Sequence, residues 1–117
     1  MSQAEQNNRI DYTEFPAADL AIAERFYTEV FGWHFKHQNA DYISFNDGRM
    51  RGGFFKSTQT RPGGPVVVLY ASDLEETRAK IIVNGGSICR QTFTFPGGRR
   101  FHFNDPSGNV LGVWSDK

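Results

Sequence analysis

The sequence predicts one α+β domain made of two tandem βαβββ modules that form a curved sheet around a cleft. Three observations carry this. The chain has 117 residues, about one domain's worth, with no room for a second core. Each half reads strand, helix, then three strands. The helix signals of the first half also return 54 residues later, Asp19-Leu20 as Asp73-Leu74 and Gly32 as Gly86.

The polar residues 2–8 are expected to fray. Residues 10–15 alternate loosely and are rich in strand formers, and Pro16, with no N–H to donate, is expected to end that ladder. Asp19 is placed to cap a helix. Leu20, Ala23, Phe26, Tyr27, Val30 and Phe31 recur at steps of three and four as one apolar stripe, and Gly32 supplies a left-handed stop. Three strands follow at 33–37, 41–45 and 50–56, the last two separated by the turn signal Asn46-Asp47-Gly48. Residues 57–65, with a Pro-Gly-Gly, read as the linker.

The pattern then restarts with the apolar run 66–70. Asp73 caps a second helix whose first turn holds Glu75 and Glu76, where the helix dipole favours acid. Leu74, Thr77, Ile81 and Ile82 make a weaker stripe, and Gly85-Gly86 ends it. Strands at 87–93, 99–104 and 109–114 complete the set, joined by Pro96-Gly97-Gly98 and Asp105-Pro106-Ser107-Gly108. A strand-helix-strand unit lays its helix on one sheet face. Two such units are expected to put both helices outside and leave two curved sheets facing a shared cleft.

Composition narrows the function classes. Aromatic residues make up 15% of the chain, with eleven Phe, which suits an aromatic interior or an aromatic-lined cavity. Thirteen basic residues balance thirteen acidic ones, so nothing advertises nucleic acid or an acidic membrane as a partner. The single cysteine, Cys89, excludes an internal disulfide framework, fits a reducing compartment and is expected to be a buried thiol. The polar stretch 1–9 lacks the apolar run of a signal peptide, and no segment approaches a membrane span. The expected location is cytoplasmic.

Several motifs then converge. Glu14-Phe15-Pro16-Ala17-Ala18-Asp19-Leu20, followed by Phe26-Tyr27 and Val30-Phe31-Gly32-Trp33, resembles the first module of small glyoxalase-like proteins. The closing Phe103-Asn104-Asp105-Pro106-Ser107-Gly108-Asn109 resembles the turn before the last strand in that family, the glyoxalase / bleomycin resistance protein / dioxygenase (vicinal oxygen chelate) superfamily. The resemblance covers about residues 10–115 as a single domain, with module one about 10–56 and module two about 66–115. The fold hosts lyases, epimerases, dioxygenases, thiol transferases and drug-binding proteins, so it does not name a reaction.

Metalloenzymes of this family hold a divalent metal on the cleft walls as a Lewis acid for two adjacent substrate oxygens. The resemblance puts the first-strand ligand on Tyr12 and its second-module counterpart near Val67. The last-strand carboxylate falls on Gly112, and the fourth ligand falls within 52–55, which holds no Glu, Asp or His. Borderline cations need three or four oxygen or imidazole donors. The expectation is therefore no metal and no cofactor. His34 and His37 are three apart on a strand and point to opposite faces, so they make no ligand pair.

Strand alternation from Tyr12 brings Glu14 to the same face, and Gly112 brings Trp114. The resemblance turns Arg100 and His102 inward, with Phe101 and Phe103 toward the helices. The inferred wall is Tyr12, Glu14, Arg100, His102 and Trp114, with Glu14 and His102 as candidate acid/base groups and Tyr12, Arg100 and Trp114 as candidate ligand contacts. Each also has a plain structural reading. Glu14 can pair with an arginine, His102 can be a hydrogen-bonded sheet histidine, Arg100 a solvated rim residue, and the two aromatics simple packing. Gly97-Gly98 is not a phosphate loop, since no helix start follows it.

The leading function is a protein lacking the usual metal ligands that binds a small apolar or aromatic molecule in the cleft. The alternative is an enzyme, a lyase or isomerase acting on a small carbonyl compound through a non-standard metal or acid/base site using Glu14 and His102. A partner domain with no ligand is a third class. The resemblance also implies a homodimer that completes the cleft.

Overall fold

The computed structural model describes residues 3–59 and 65–117. A short 3-10 turn, Gln3–Gln6, stands where fraying was expected. The first module comprises β1 (Tyr12–Ala17), α1 (Leu20–Phe31), β2 (His34–Asn39), β3 (Tyr42–Asn46) and β4 (Arg51–Lys56). The second comprises β5 (Val67–Tyr70), α2 (Leu74–Val83), β6 (Ser87–Phe95), β7 (Gly98–Asn104) and β8 (Val110–Ser115). Of the expected linker 57–65, residues 60–64 lie outside the described residues.

The repeat seen in the sequence is a repeat of topology. The strand orders are β1-β4-β3-β2 and β5-β8-β7-β6, and in each sheet the first strand runs parallel to the last. β1 does not stop at Pro16 but continues to Ala17. It is an edge strand paired only with β4, and an edge tolerates a residue that cannot donate.

Helix α1 forms where its caps and stripe predict. The Asp19 carboxylate accepts from the Ile22 N–H at 3.1 Å, and Gly32 closes the helix at φ 73°, a left-handed value that a side chain would resist. Asp73 caps α2 in the same way, accepting from the Glu76 N–H at 3.0 Å. Replacing Asp19 by alanine is expected to cost about 1 kcal/mol, read as a lower urea midpoint with an unchanged slope. No change in midpoint would mean the cap is not used in solution.

The helices are not outside. They pack on each other within one core that both sheets share. Phe26 and Phe31 of α1 reach across to Phe103 of β7, with ring centroids 6.1 and 6.0 Å apart. On the other side Tyr27, Trp33 and Phe45 stack in series at 4.5 and 4.3 Å. The physical reason is the stripe itself. Phe26, Tyr27 and Phe31 cover more of the helix circumference than one sheet can bury, so α1 is greased on two sides.

Each sheet therefore has a helix-covered face and an open face. Phe54, Phe101, Phe103, Leu111 and Val113 are buried on the covered faces, whereas Tyr12, Val68, Tyr70 and Val110 are exposed on the open ones. The second helix is less committed to the core, with Leu74 and Ile81 buried but Ile82 exposed. Cys89 is exposed on β6, an edge strand whose register slips on both sides of Arg90. The expectation of a buried thiol fails there because apolar neighbours in sequence do not bury an edge position. Among the described residues, no helix is long and apolar enough to cross a membrane.

Candidate functional site

The open face of the first sheet carries Tyr12 and Glu14 from β1, as alternation requires, and adds a residue the sequence reading missed. Tyr42 of β3 donates its hydroxyl to the Glu14 carboxylate at 2.9 Å. Its oxygen lies 2.5 Å from that of Tyr12. A phenol has one proton to give, and that of Tyr42 goes to Glu14, so Tyr12 must be the donor to Tyr42. The result is a directed chain, Tyr12 to Tyr42 to Glu14. Partial burial, and then the hydrogen bonds to Tyr12 and Glu14, raise the Tyr42 pKa far above that of an ordinary phenol. Tyr42 therefore stays a neutral donor at physiological pH. The plain reading of Glu14, an arginine partner, is replaced by this tyrosine.

Beside this chain lies a depression of about 460 Å³, within the size range of ligand pockets. Tyr12, His34, Lys36, Gln38, Ser44, Asn46 and Arg51 line it, together with Phe35 and Phe45. His34 and His37 do point to opposite sides. His34 lines the depression, while the Nε2 of His37 pairs with Glu24 of α1 at 2.5 Å.

The open face of the second sheet carries Arg100, His102 and Trp114. Trp114 packs edge-on against Tyr70 at 5.1 Å and against Phe95 at 6.2 Å, forming an aromatic shelf. His102 is only 9% exposed, and its Nε2 has no hydrogen-bond partner. The buried Nε of Arg100 has none either. His102 is thus not a fully hydrogen-bonded sheet histidine, and Arg100 is half-buried, with its Nε sealed rather than solvated. Leaving a buried polar atom unpaired costs about 1–3 kcal/mol. Burial first, then the charges of Arg100 and Arg90, lower the His102 pKa below the ordinary imidazole value. The structure brings Tyr12 together with Glu14, and Arg100 and His102 with Trp114, but on two different sheets.

The chelate positions implied by the sequence can be tested on the backbone. Gly53 of β4 faces the open side, and a Cβ there would overlap the Tyr42 hydroxyl. Gly112 of β8 faces the open side of its own sheet, where a Cβ would lie 3.2 Å from Cδ2 of His102. Each glycine thus sits under a side chain from the neighbouring strand, Gly53 within the 52–55 stretch expected to hold the fourth ligand and Gly112 at the expected last-strand carboxylate position. Val67 packs toward the core, and its neighbour Val68, paired with Gly112, lies on the open face. Among the described residues, no three His, Cys, Asp or Glu side chains are grouped so that they could hold a metal ion. The residues present do not fit the family's chelate.

Tyr42 was legible in principle, since Tyr42, Ser44 and Asn46 alternate with the core residues Ile43 and Phe45. Arg90 and Phe93, which join His102 on the second face, were not, because the irregular pairing of β6 breaks simple alternation.

Comparison with known proteins agrees with this architecture. The family model described as Glyoxalase/Bleomycin resistance protein/Dioxygenase superfamily matches residues 9–113. A glyoxalase/bleomycin resistance protein/dioxygenase family enzyme from Burkholderia phytofirmans PsJN is similar in structure, with a TM-score of 0.80 and 14% identity, covering 92% of this chain and 100% of that one. A lactoylglutathione lyase from Agrobacterium tumefaciens has a TM-score of 0.69 and 23% identity over 92% of this chain and 93% of its own. A fosfomycin resistance protein from Mesorhizobium loti has a TM-score of 0.76 and 14% identity, with 92% of each chain covered. At these identities the likeness is one of fold. No curated protein matches the sequence at a significant level.

Proposed function

Because the chain belongs to the Glyoxalase/Bleomycin resistance protein/Dioxygenase superfamily, we propose for it a metal-independent role in that family, binding a small apolar or aromatic molecule on its open sheet faces. One observation carries this reading. The open-face glycines Gly53 and Gly112 each lie under a neighbouring side chain, so Tyr42 occupies the space over the 52–55 stretch and His102 crowds the last-strand ligand position. What remains on those faces is an aromatic shelf of Tyr70, Phe95 and Trp114 and the depression beside Tyr12. Such surfaces suit ligands with a flat apolar body.

With this reading go a homodimer and a cytoplasmic location. The exposed Tyr12, Val68, Tyr70 and Val110 support the first, as apolar side chains that a second copy would cover, and the lone Cys89 supports the second. The alternative, a lyase or isomerase using Glu14 and His102, draws support from the hydrogen-bonded Glu14 carboxylate, which a carbonyl substrate could meet as a base.

The test is metal content by mass spectrometry on tag-free protein purified without chelators, paired with thermal-shift titration of uncharged aromatic compounds. Metal well below one ion per chain, together with a saturable rise in Tm, is the expected result. About one divalent ion per chain, lost in Glu14→Gln or His102→Ala, would overturn it in favour of a rebuilt metal site.

A further inference from the structure

Arg99 and Arg100 are adjacent in sequence and opposite in circumstance. Strand alternation sends Arg99 away from Arg100, and Arg99 is well partnered, with two bonds to the Glu75 carboxylate, the shorter 2.7 Å, and two to the Lys117 carbonyl. Arg100 has a buried Nε with no acceptor. The surroundings of Arg100 add positive charge and supply no carboxylate. Across the β6–β7 ladder Phe93 lies opposite Arg100, and Arg90 lies opposite His102. The Arg90 guanidinium sits 3.8 Å from the Phe93 ring centre and that of Arg100 5.5 Å, while His102 meets the same ring edge-on at 6.1 Å. The ring face attracts both cations but neutralises neither. Arg90 and Arg100 take no part in the ion pairs His37–Glu24, Arg51–Asp11, Lys80–Glu76 and Arg99–Glu75.

Guanidinium groups only donate, and a pair of them beside an imidazole has one natural complement, an oxyanion able to take several N–H bonds at once. His102, only 9% exposed, meets the same Phe93 ring and has an Nε2 with no hydrogen-bond partner, which marks the position as built rather than incidental. On the adjacent strand, Trp114 lies opposite Arg100 across the β7–β8 ladder and extends the patch into the aromatic shelf.

We propose that the open face of β6, β7 and β8 is a binding site for a small aromatic anion, with Arg90, Arg100 and His102 taking its carboxylate or phosphonate group and Phe93 and Trp114 its ring. The proposal rests on the small-molecule reading above and narrows it to a charged ligand class.

The experiment is calorimetric titration of the full chain with benzoate, phenylphosphonate, the neutral isostere benzamide and inorganic phosphate, accompanied by NMR of the His102 ring. The expected result is saturable binding of benzoate or phenylphosphonate that shifts the His102 resonances, with benzamide at least about tenfold weaker. Whichever anion binds more tightly identifies the head group as carboxylate or phosphonate. Arg90→Gln, at an exposed position, is expected to weaken the anions about tenfold while leaving benzamide unchanged, and Arg100→Gln to do the same more strongly. Benzamide binding as tightly as benzoate would overturn the anion site and leave the apolar reading standing. Inorganic phosphate binding as tightly as phenylphosphonate, and as sensitive to Arg100→Gln, would keep the cationic site and remove the aromatic part. Binding of none of the four, or anion affinities untouched by both variants, would overturn the proposal outright.

Discussion

Replacing Asp105 by alanine is expected to cost the fold about 3–5 kcal/mol, a fall in Tm on the order of 15 °C for a domain of this size. The carboxylate is 4% exposed and accepts four hydrogen bonds. They come from the Tyr27 hydroxyl, the Ser107 N–H, the Asn109 N–H and the Asn109 side-chain amide, each at 2.9 Å. The amide of Asn109 also donates to the Pro16 carbonyl at 2.7 Å, and the Ser107 hydroxyl accepts from the Ala18 N–H at 3.2 Å. The turn between β7 and β8 is thereby tied both to α1 and to the end of β1. Burial outweighs the four donors and holds the Asp105 pKa above the usual carboxylate value, and the donors offset part of that cost. Alanine would strand several buried donors at once.

Tyr27→Phe removes one donor and keeps the ring stack, so it is expected to cost only about 1–2 kcal/mol. Urea unfolding of the two variants checks the order. A loss below about 1 kcal/mol for Asp105→Ala would mean that the shared aromatic core, not this carboxylate, joins the modules.

The same joint shows what a sequence can and cannot convey. The Asp-Pro-Ser-Gly-Asn run was recognisable as a turn, yet its reach to Tyr27, 78 positions away, is a contact no local pattern encodes. Helix α1 was legible because its caps and stripe are local, and Phe26, Tyr27 and Val30 are buried as expected. Where the helix lies was not legible, since the stripe records that α1 is buried but not that two sheets bury it. The candidate site divides in the same way. Period-two alternation suffices to put Glu14 beside Tyr12 and Arg100 beside His102. Finding Tyr42 over Gly53, or Arg90 across from His102, requires the register between strands.

The paired glycines of β4 allow fold and site to be separated by experiment. Gly52 and Gly53 are adjacent, so their missing side chains point to opposite faces of the first sheet. A Cβ on Gly52 would run into the Phe45 ring and the backbone carbonyl of Thr13 in the parallel neighbour, and neither can yield without moving β1 or the core. Gly52→Ala is therefore expected to cost about 3 kcal/mol, the upper end for overpacking. A Cβ on Gly53 would meet only the phenol ends of Tyr42 and Tyr12 on the open face, and those can swing aside. Gly53→Ala is expected to stay within about 1 kcal/mol of the parent, because the displaced groups can find water. It should nonetheless break the chain from Tyr12 through Tyr42 to Glu14. Released from its carboxylate, Tyr42 would ionise near an ordinary phenol pKa of about 10, so absorbance titration of the variant should show one more tyrosine ionising in that range than in the parent. Equal destabilisation by the two variants would mean that the open face is as rigid as the core. A Tyr42 that still resists ionisation in Gly53→Ala would mean that its position is held by something other than the space a glycine leaves. The outcome expected here, an intact fold with a loosened tyrosine, would place the tolerance of this domain on its open faces, where a ligand would have to be accommodated.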